Sequence, residues 1–206
     1  MSLPFLVAVT GRSGSGKSTV SAFYRAKGYP VLDADAAARE IVDVGSPVLK
    51  ELCASFGQDI LQEDGTLDRK KLAEKAFCSV QQTKRLSDIT HPAIAALLLE
   101  RADAYAKQEA NLCFVDGAVI LGSPLEPYCK RWVVVTAPHE QAVQRIMQRD
   151  GISAQRAEER LNVQTPEEAL LARADYVIQN DGGQEALQQR AQAVLASLLE
   201  TLQGSV

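Results

Sequence analysis

The chain has 206 residues, of which 46% are hydrophobic and 23% charged, with a formal net charge of −4. This balance is typical of a globular domain with a substantial core and excludes a disordered chain. Because the chain has no apolar run near the roughly 20 residues of a membrane span, no secretory signal pattern and no excess of basic residues, we expect a cytoplasmic protein without a membrane or nucleic-acid partner.

Strand and helix patterns alternate along the chain. Short apolar runs predict buried strands at 5–10, 30–33, 112–116, 132–136 and 176–178. Helical spacing of apolar residues lies between them, at 17–27, through most of 35–111, and at 138–149, 153–162, 166–173 and 184–202. Strands that alternate with helices favour a parallel sheet covered on both faces.

Two intervals between the predicted strands are too rich in helix for simple crossovers. The interval between the second and third strands predicts a helical insertion at 36–110. Two short helical segments without a strand predict a small lid at 150–173. The remaining segments, 1–35, 111–149 and 174–206, would form the core domain.

The first predicted strand runs into a glycine-rich loop that a helix follows. Residues 11–18 read Gly-Arg-Ser-Gly-Ser-Gly-Lys-Ser, the phosphate-binding P-loop pattern G-x-x-x-x-G-K-[ST]. Gly14 and Gly16 permit backbone conformations in which several N–H groups converge on one phosphate. Lys17 would contact the β- and γ-phosphates, and the Ser18 hydroxyl would ligate Mg²⁺. The loop predicts a nucleoside triphosphate site without deciding between a kinase, a hydrolase and a switch.

Acidic residues follow two of the predicted strands. Because the carboxyl ends of parallel strands lie at one edge of a sheet, Asp33 should face the phosphate loop, where it could accept the proton of a substrate hydroxyl. Asp35 is predicted to cap the next helix, which would leave Asp33 for catalysis. Asp116 ends the third strand and is either a Mg²⁺ ligand or a strand-end residue before the turn at Gly117.

Two arginines and a histidine complete the candidate side chains. Arg145 and Arg149 are four residues apart, so they should share one helix face near the predicted lid. Guanidinium groups suit phosphoryl oxygens, but a solvated basic face is the alternative interpretation. His91 precedes Pro92 within the insertion and is either a substrate contact or a histidine at a local kink.

The cysteines are dispersed, at positions 53, 78, 113 and 129. They form no CxxC pair, and with two histidines they cannot assemble a zinc site of standard spacing. We therefore expect reduced thiols.

The chain resembles the dephospho-CoA kinase family over nearly its whole length. The phosphate loop alone is generic, and the specific part is the ordered series of motifs that follows it. This series comprises Asp33-Ala34-Asp35, Arg39, Phe56-Gly57, Asp64-Gly65-Thr66-Leu67-Asp68-Arg69, His91-Pro92, Gln144-Arg145, Met147-Gln148-Arg149-Asp150, Ala174-Asp175-Tyr176-Val177-Ile178, Asn180 and Gly182.

The resemblance implies Mg²⁺-dependent transfer of the γ-phosphoryl group of ATP to the ribose 3′-hydroxyl of dephospho-CoA, giving CoA and ADP. It implies an α/β, three-layer P-loop NTPase fold with a five-stranded parallel sheet, a helical substrate-binding insertion and a small helical lid. Motif and resemblance together nominate Lys17, Asp33, Arg145 and Arg149 as catalytic, Gly11, Arg12, Ser13, Gly14, Ser15, Gly16, Lys17, Ser18, Thr19 and Asn180 as ATP-binding, Asp33, Arg39 and His91 as substrate-binding, and Ser18 and Asp116 as metal ligands.

Two segments depart from the family pattern. Gly-Gly-Ile-Gly is usual where the chain has Gly11-Arg12-Ser13-Gly14, a variant that also occurs in uridine-kinase-like loops. Asp-Val-Pro-Leu-Leu is usual where the chain has Asp116-Gly117-Ala118-Val119-Ile120-Leu121. Both departures lie beside the expected reaction centre, so they bear on how the phosphates and the acceptor approach it.

Two other classes remain open as alternatives. Another P-loop kinase, acting on a nucleoside or nucleotide, is supported by the Arg12-Ser13 pair. A triphosphate-dependent switch or ATPase module is disfavoured because the chain contains neither Asn-Lys-x-Asp nor Leu-Ser-Gly-Gly-Gln. We expect a monomer, with a homotrimer as the alternative.

Overall fold

The computed structural model describes residues 2–118 and 120–204. Within these residues a single parallel sheet has the strand order β2-β3-β1-β4-β5. Its strands are β1 (Phe5–Thr10), β2 (Val31–Asp33), β3 (Leu112–Asp116), β4 (Cys129–Thr136) and β5 (Tyr176–Gln179). The predicted α/β fold with a five-stranded parallel sheet is confirmed, and β4 begins three residues earlier than its apolar run predicts.

Helices connect the strands and flank the sheet. They are α1 (Lys17–Ala26), α2 (Ala34–Glu40), α3 (Pro47–Phe56), α4 (Arg69–Ala76), α5 (Val80–Lys107), α6 (His139–Asp150), α7 (Ala154–Asn162), α8 (Glu167–Arg173) and α9 (Gln184–Gln203). Short 3₁₀ turns precede β4 and follow α3. None of the helices in the described residues is both long enough and apolar enough to cross a bilayer.

Alternate residues of β1 pack on opposite faces of the sheet. Leu6 and Ala8 of β1 belong to a buried cluster with the second half of α5. Val7 and Val9 belong to a second buried cluster, with α1 and α9. Burial of each large apolar side chain contributes roughly 1.5–3 kcal/mol, so the two-sided covering fixes the position of the β1 carboxyl end, from which the phosphate loop emerges.

The insertion has a third core of its own, built from α3, α4 and the first half of α5. Ser46 and Asp68 begin α3 and α4, because their side chains accept hydrogen bonds from the amides of Leu49 and Lys71. Since α5 packs against both this cluster and the sheet, one continuous helix joins the insertion to the core. The division at 36–110 stays a prediction.

The predicted lid consists of α7 and α8, as the spacing of apolar residues indicates. Val143 and Ile146 of α6 pack against Ala157 and Leu161 of α7 in a small buried cluster. At the end of α8, the guanidinium carbon of Arg173 lies 4.9 Å from the ring centroid of Trp132, which is fully buried in β4. The segment is therefore fastened to the core at both ends.

The cap of α2 corrects one expectation. Asp33, not Asp35, is the N-cap, because its Oδ1 accepts a hydrogen bond of 2.8 Å from the amide of Ala36. The helix starts at Ala34, two residues before the start that a cap at Asp35 would give, so Asp35 lies in its first turn. Val119, within the departing stretch 116–121, lies outside the described residues, as do Met1 and the last two residues.

Candidate active site

The carboxyl ends of β1, β2 and β3 bring the phosphate loop and two carboxylates to one edge of the sheet. Asp33 and Asp116 are register partners on adjacent strands, and Val9 of β1 is the register partner of Asp116 on its other side. Residues in register on neighbouring parallel strands point to the same face. The prediction that the two aspartates lie beside the loop is consistent with this register.

Two glycines allow the phosphate loop to lie close against its neighbours. Gly14 has φ 76° and Gly16 has φ 95°, a backbone region that L side chains rarely adopt. A side chain at Gly14 would collide with the backbone of Ala142 in α6, and one at Gly16 would collide with the side-chain amide of Asn180. In the space left by Gly16, the Asn180 amide donates a 2.7 Å hydrogen bond to the Ser15 carbonyl.

The helix that follows the loop is suited to bind phosphate. Gly16 is the N-cap of α1, and no side chain of the described residues caps this helix end. The first amides of a helix lack partners within it, and they carry the positive end of the helix dipole. An anion at this position would satisfy both.

Lys17 and Asp116 form an ion pair at the start of α1. Asp116 is only 8% exposed, and the ion pair with Lys17 offsets the cost of burying its carboxylate. The lysine expected to contact phosphate is thus held by the acidic residue expected to bind metal.

The donor set of this edge fits Mg²⁺. Mg²⁺ prefers oxygen ligands and is usually held by one or two carboxylates together with substrate phosphates and water. Asp33, Asp116 and the exposed Ser18 hydroxyl supply such oxygens. Among the described residues no three histidine, cysteine or acidic side chains cluster as a closed metal site, so an ion here would depend on the nucleotide for further ligands.

Arg145 is directed to the phosphate loop. Its guanidinium donates to the Gly14 carbonyl at 3.1 Å, to the Gln141 side chain at 3.0 Å and to the Asn180 backbone carbonyl at 3.3 Å. It therefore joins α6, the loop and the segment after β5.

Arg149 has different partners from Arg145, and its catalytic role stays a prediction. Its guanidinium makes two hydrogen bonds to Asp150, at 2.7 and 2.8 Å, and Arg160 pairs with the same carboxylate. The hydrogen bond and the charge of Arg149, and then those of Arg160, lower the pKa of Asp150 to about 2. The i, i+4 spacing could not reveal this competition from the neighbouring aspartate.

His91 lies between two cavities. One, of about 270 Å³, is mostly apolar and lies between the insertion and the segment that follows β3, and its walls include Asp35 and Arg69. The other, of about 370 Å³, reaches from α5 to Gly11 and Arg12 of the phosphate loop. Burial lowers the pKa of His91 below its ordinary value, against a smaller opposing effect of Asp88, so the ring is neutral near pH 7.

Arg39 and Arg69, which belong to two successive motifs of the sequence series, differ in their access to the cavities. Arg39 is exposed and absent from the walls of both cavities, whereas Arg69 lines the apolar one and donates to the Arg39 carbonyl at 3.4 Å. Sequence reasoning missed Arg69 as a candidate, although it stands in a quoted motif. It also missed Gln164, whose side chain touches the phosphate loop, because no motif marks it.

A parallel sheet in this strand order, with a phosphate loop after its central strand and helical segments over its carboxyl edge, has the fold of the P-loop kinases. Shikimate kinase from Acinetobacter baumannii shares this fold, covering 97% of the chain with a TM-score of 0.51 at 17% identity. The chain belongs to the dephospho-CoA kinase family, whose model matches residues 5–186.

Individual relatives agree with this assignment over nearly the whole chain. The dephospho-CoA kinase of Anaeromyxobacter dehalogenans is 40% identical over 193 residues, covering 94% of this chain and 92% of the relative. That of Corynebacterium glutamicum is 39% identical, covering 94% and 96%. Among solved structures, TT1252 from Thermus thermophilus has a TM-score of 0.79 at 36% identity, covering 96% of this chain and 99% of its own. Dephospho-CoA kinase from Campylobacter jejuni has a TM-score of 0.62 at 28% identity, covering 95% and 98%.

Proposed function

We propose that this protein transfers the γ-phosphoryl group of ATP to the 3′-hydroxyl of the ribose of dephospho-CoA, giving CoA and ADP. Family membership supports the reaction, and one structural observation supports the placement of the acceptor. The apolar cavity of the insertion and the cleft that reaches the phosphate loop share Leu86, Thr90 and His91 as walls. An acceptor held in the insertion would therefore meet the triphosphate beside His91.

The donor side of the reaction uses groups already in place. The amides of Gly14, Gly16, Lys17 and Ser18 and the Lys17 ammonium bind the phosphates, while Asn180 and Arg145 hold the loop in shape through its carbonyls. Phosphoryl transfer needs positioning and charge stabilisation more than covalent chemistry, so the rigidity of the loop contributes directly to catalysis. When bound, Mg²⁺ neutralises phosphate charge; Ser18 and Asp116 would hold it.

On the acceptor side, Asp33 accepts the proton of the ribose hydroxyl as the oxygen–phosphorus bond forms. Arg69 suits the diphosphate of dephospho-CoA, since a guanidinium binds phosphoryl oxygens with two donors. His91, being neutral, offers a hydrogen bond to the acceptor without adding charge. The apolar cavity takes the part of the acceptor that carries no charge.

The test is an assay of ADP release with Mg·ATP and a panel of acceptors. The panel contains dephospho-CoA, uridine, cytidine, adenosine, AMP and water alone. We expect rapid turnover with dephospho-CoA only. Turnover with a nucleoside or AMP instead would assign the protein to another kinase specificity, and equal turnover with water alone would make it a hydrolase.

We also propose that the chain acts in the cytoplasm as a monomer. In the described residues, the most exposed large apolar side chains are Phe77, Val80 and Val163, which border one groove beside His91. A groove beside the acceptor cavity does not require a subunit partner. Light scattering coupled to gel filtration checks the mass, and a trimer mass would overturn this part of the proposal.

A further inference from the structure

The phosphate loop is hydrogen-bonded to the turn between α7 and α8. Gln164 in this turn accepts a 2.9 Å hydrogen bond from the Ser13 amide through Oε1 and donates a 2.6 Å bond to the Ser13 hydroxyl through Nε2. The guanidinium of Arg12 donates to the Leu161 carbonyl at 2.5 Å. We call Arg12, Ser13, Leu161 and Gln164 the lid latch.

The latch is a closed set of contacts rather than one surface bond. The Leu161 carbonyl lies near the end of α7, where helix carbonyls lack partners within the helix, and it also accepts the Gln164 amide at 3.2 Å. The positive charge of Arg12 complements the negative end of this helix. Because Leu161 is fully buried against α6, the carbonyl to which Arg12 binds is held in a fixed place.

Two residues of the latch also line the cleft where transfer would occur. Arg12 and Gln164 belong to its walls, as does His91. The turn that carries Gln164 therefore decides how open this cleft is to solvent. Separation of Gln164 from Ser13 would widen the cleft beside the phosphate loop.

We propose that Gln164 is a positioning residue that sets the partition of ATP between acceptor phosphorylation and hydrolysis. The inference rests on the proposed kinase function. In both reactions, an oxygen forms a bond to the γ-phosphorus, the bond from this phosphorus to the bridging oxygen of ADP breaks, and the attacking oxygen loses its proton. The oxygen belongs to the ribose hydroxyl in one case, giving CoA, and to water in the other, giving inorganic phosphate. A docked lid admits the first nucleophile and excludes the second.

Arg12 and Ser13 give this inference its basis in the present chain. They are the two loop positions at which the sequence departs from the family pattern, and both have their partners in the lid. The departures therefore act on the contact between loop and lid. They leave Lys17 and its partner Asp116 in place.

The experiment compares wild type with Gln164→Ala, using ADP release with and without dephospho-CoA. We expect acceptor-independent ADP release, as a fraction of acceptor-dependent release, to rise roughly tenfold, the scale of losing one or two hydrogen bonds. The KM for ATP should change little, because Gln164 is not among the residues expected to bind ATP. The matched control is Gln155→Ala, which removes an exposed lid glutamine whose side chain, within the described part of the chain, bonds to Glu159 of its own helix at 3.1 Å.

A second measurement does not depend on turnover. Hydrogen exchange at the amides of residues 163–165 should be faster in Gln164→Ala and in Arg12→Met, and unchanged in Gln155→Ala. In the double variant Arg12→Met with Gln164→Ala, the decrease in the free energy of opening at these amides should be smaller than the sum of the decreases in the two single variants. The reason is that both residues belong to one set of contacts.

The outcomes separate the two proposals. Wild type that phosphorylates no dephospho-CoA overturns the proposed function, but hydrolysis with ATP alone and the exchange rates still test the latch. Wild type that does phosphorylate it, with partition and exchange unchanged in Gln164→Ala, overturns the latch alone. A rise equal to that of Gln155→Ala would also overturn it.

Discussion

Asp33 lies where β2 ends and α2 begins, and its carboxylate caps that helix. The same carboxylate is our proposed acceptor of the ribose proton. Asparagine and aspartate cap helices about equally well, but only the aspartate can take a proton from a hydroxyl. One substitution can therefore separate the structural part of this side chain from the chemical part.

Asp33→Asn is expected to lower turnover by roughly 10²–10⁴-fold, the usual contribution of a general base. The melting temperature should stay within experimental error of wild type, because the cap is retained. Steady-state kinetics and thermal denaturation of the same preparation check this prediction.

The control is Asp68→Asn, which makes the same change at the cap of α4, where Oδ1 accepts the Lys71 amide at 3.0 Å. Turnover should be unchanged there. Asp33→Ala should lower both turnover and stability, the latter by about 1 kcal/mol. If Asp33→Asn keeps wild-type turnover, another group takes the proton.

His91 gives stability a dependence on pH. Its burial lowers its pKa in the folded protein below the ordinary value of 6.5, so the unfolded chain binds a proton more readily. As the pH falls through 6.5, protonation therefore stabilises the unfolded state. The resulting decrease in the free energy of unfolding grows until the pH reaches the lowered pKa of the folded state. Above neutral pH this decrease is absent.

His91→Gln is expected to remove this part of the acid sensitivity. The free energy of unfolding of wild type, minus that of the variant, should decrease as the pH is lowered from 7.5 to 5.5. Urea titrations at several pH values measure this difference, in which the contributions of the carboxylates cancel. A constant difference would show that His91 is protonated as easily in the folded protein as in the unfolded one.

At the scale of elements, α7 is held to α6 by few side chains. Leu161 is 1% exposed and is the largest contribution of α7 to this cluster. Truncation of the Leu161 side chain should therefore destabilise the packing of the predicted lid more than it destabilises the sheet.

Leu161→Ala is expected to lower the free energy of local opening of the lid by roughly 2–5 kcal/mol, the range for a buried leucine. Hydrogen exchange should become faster across 153–170, with little change in β1 and β3. Leu198→Ala, at an equally buried leucine of α9 in the sheet cluster, should instead speed exchange throughout the core. Uniform acceleration in both variants would mean that the lid opens only when the whole molecule unfolds.

Most elements could be predicted from the sequence because their signals are local. The apolar run of β3 and the serine and proline before α7 and α8 place these elements to within a residue. The cap of α2 could not be predicted, because Asp33 and Asp35 are equally good caps and only the end of β2 chooses between them.

Contacts between segments that are distant along the chain could not be predicted from the sequence. Arg145 and Arg149 lie four residues apart on one helix, as the sequence predicts. Arg149, however, bonds to Asp150, whereas Arg145 bonds to the Gly14 carbonyl. Gln164 stands in no motif, and its contact with Ser13 joins residues 151 positions apart. Such contacts depend on the packing of α7 against α6, which a single sequence does not specify.

At the scale of the whole molecule, the thiols differ in their access to solvent. Cys78 is exposed, whereas Cys53, Cys113 and Cys129 are buried and none is in a disulfide. Burial raises the pKa of both the Cys113 and the Cys129 thiols to about 12, which removes the reactive thiolate at neutral pH. Chemical access to these two thiols therefore requires the fold to open.

We expect a thiol reagent at pH 8 to label Cys78 rapidly in the folded protein and the three buried cysteines only on unfolding. Mass spectrometry of the labelled protein counts the modified thiols. The Cys78→Ser variant should show no rapid phase. Rapid labelling at Cys113 or Cys129 would contradict the burial of these strands.

The single tryptophan of the chain, Trp132, lies in β4 beneath the Arg173 guanidinium at the end of α8. Indole fluorescence is sensitive to a charge above the ring, so the protein carries its own optical reporter where the predicted lid ends against the sheet. A change of emission on mixing with nucleotide would time the movement of α8 in a stopped-flow instrument, with no dye attached. Comparison of the rate of that fluorescence change with kcat would show whether movement of the predicted lid or the phosphoryl-transfer step limits turnover.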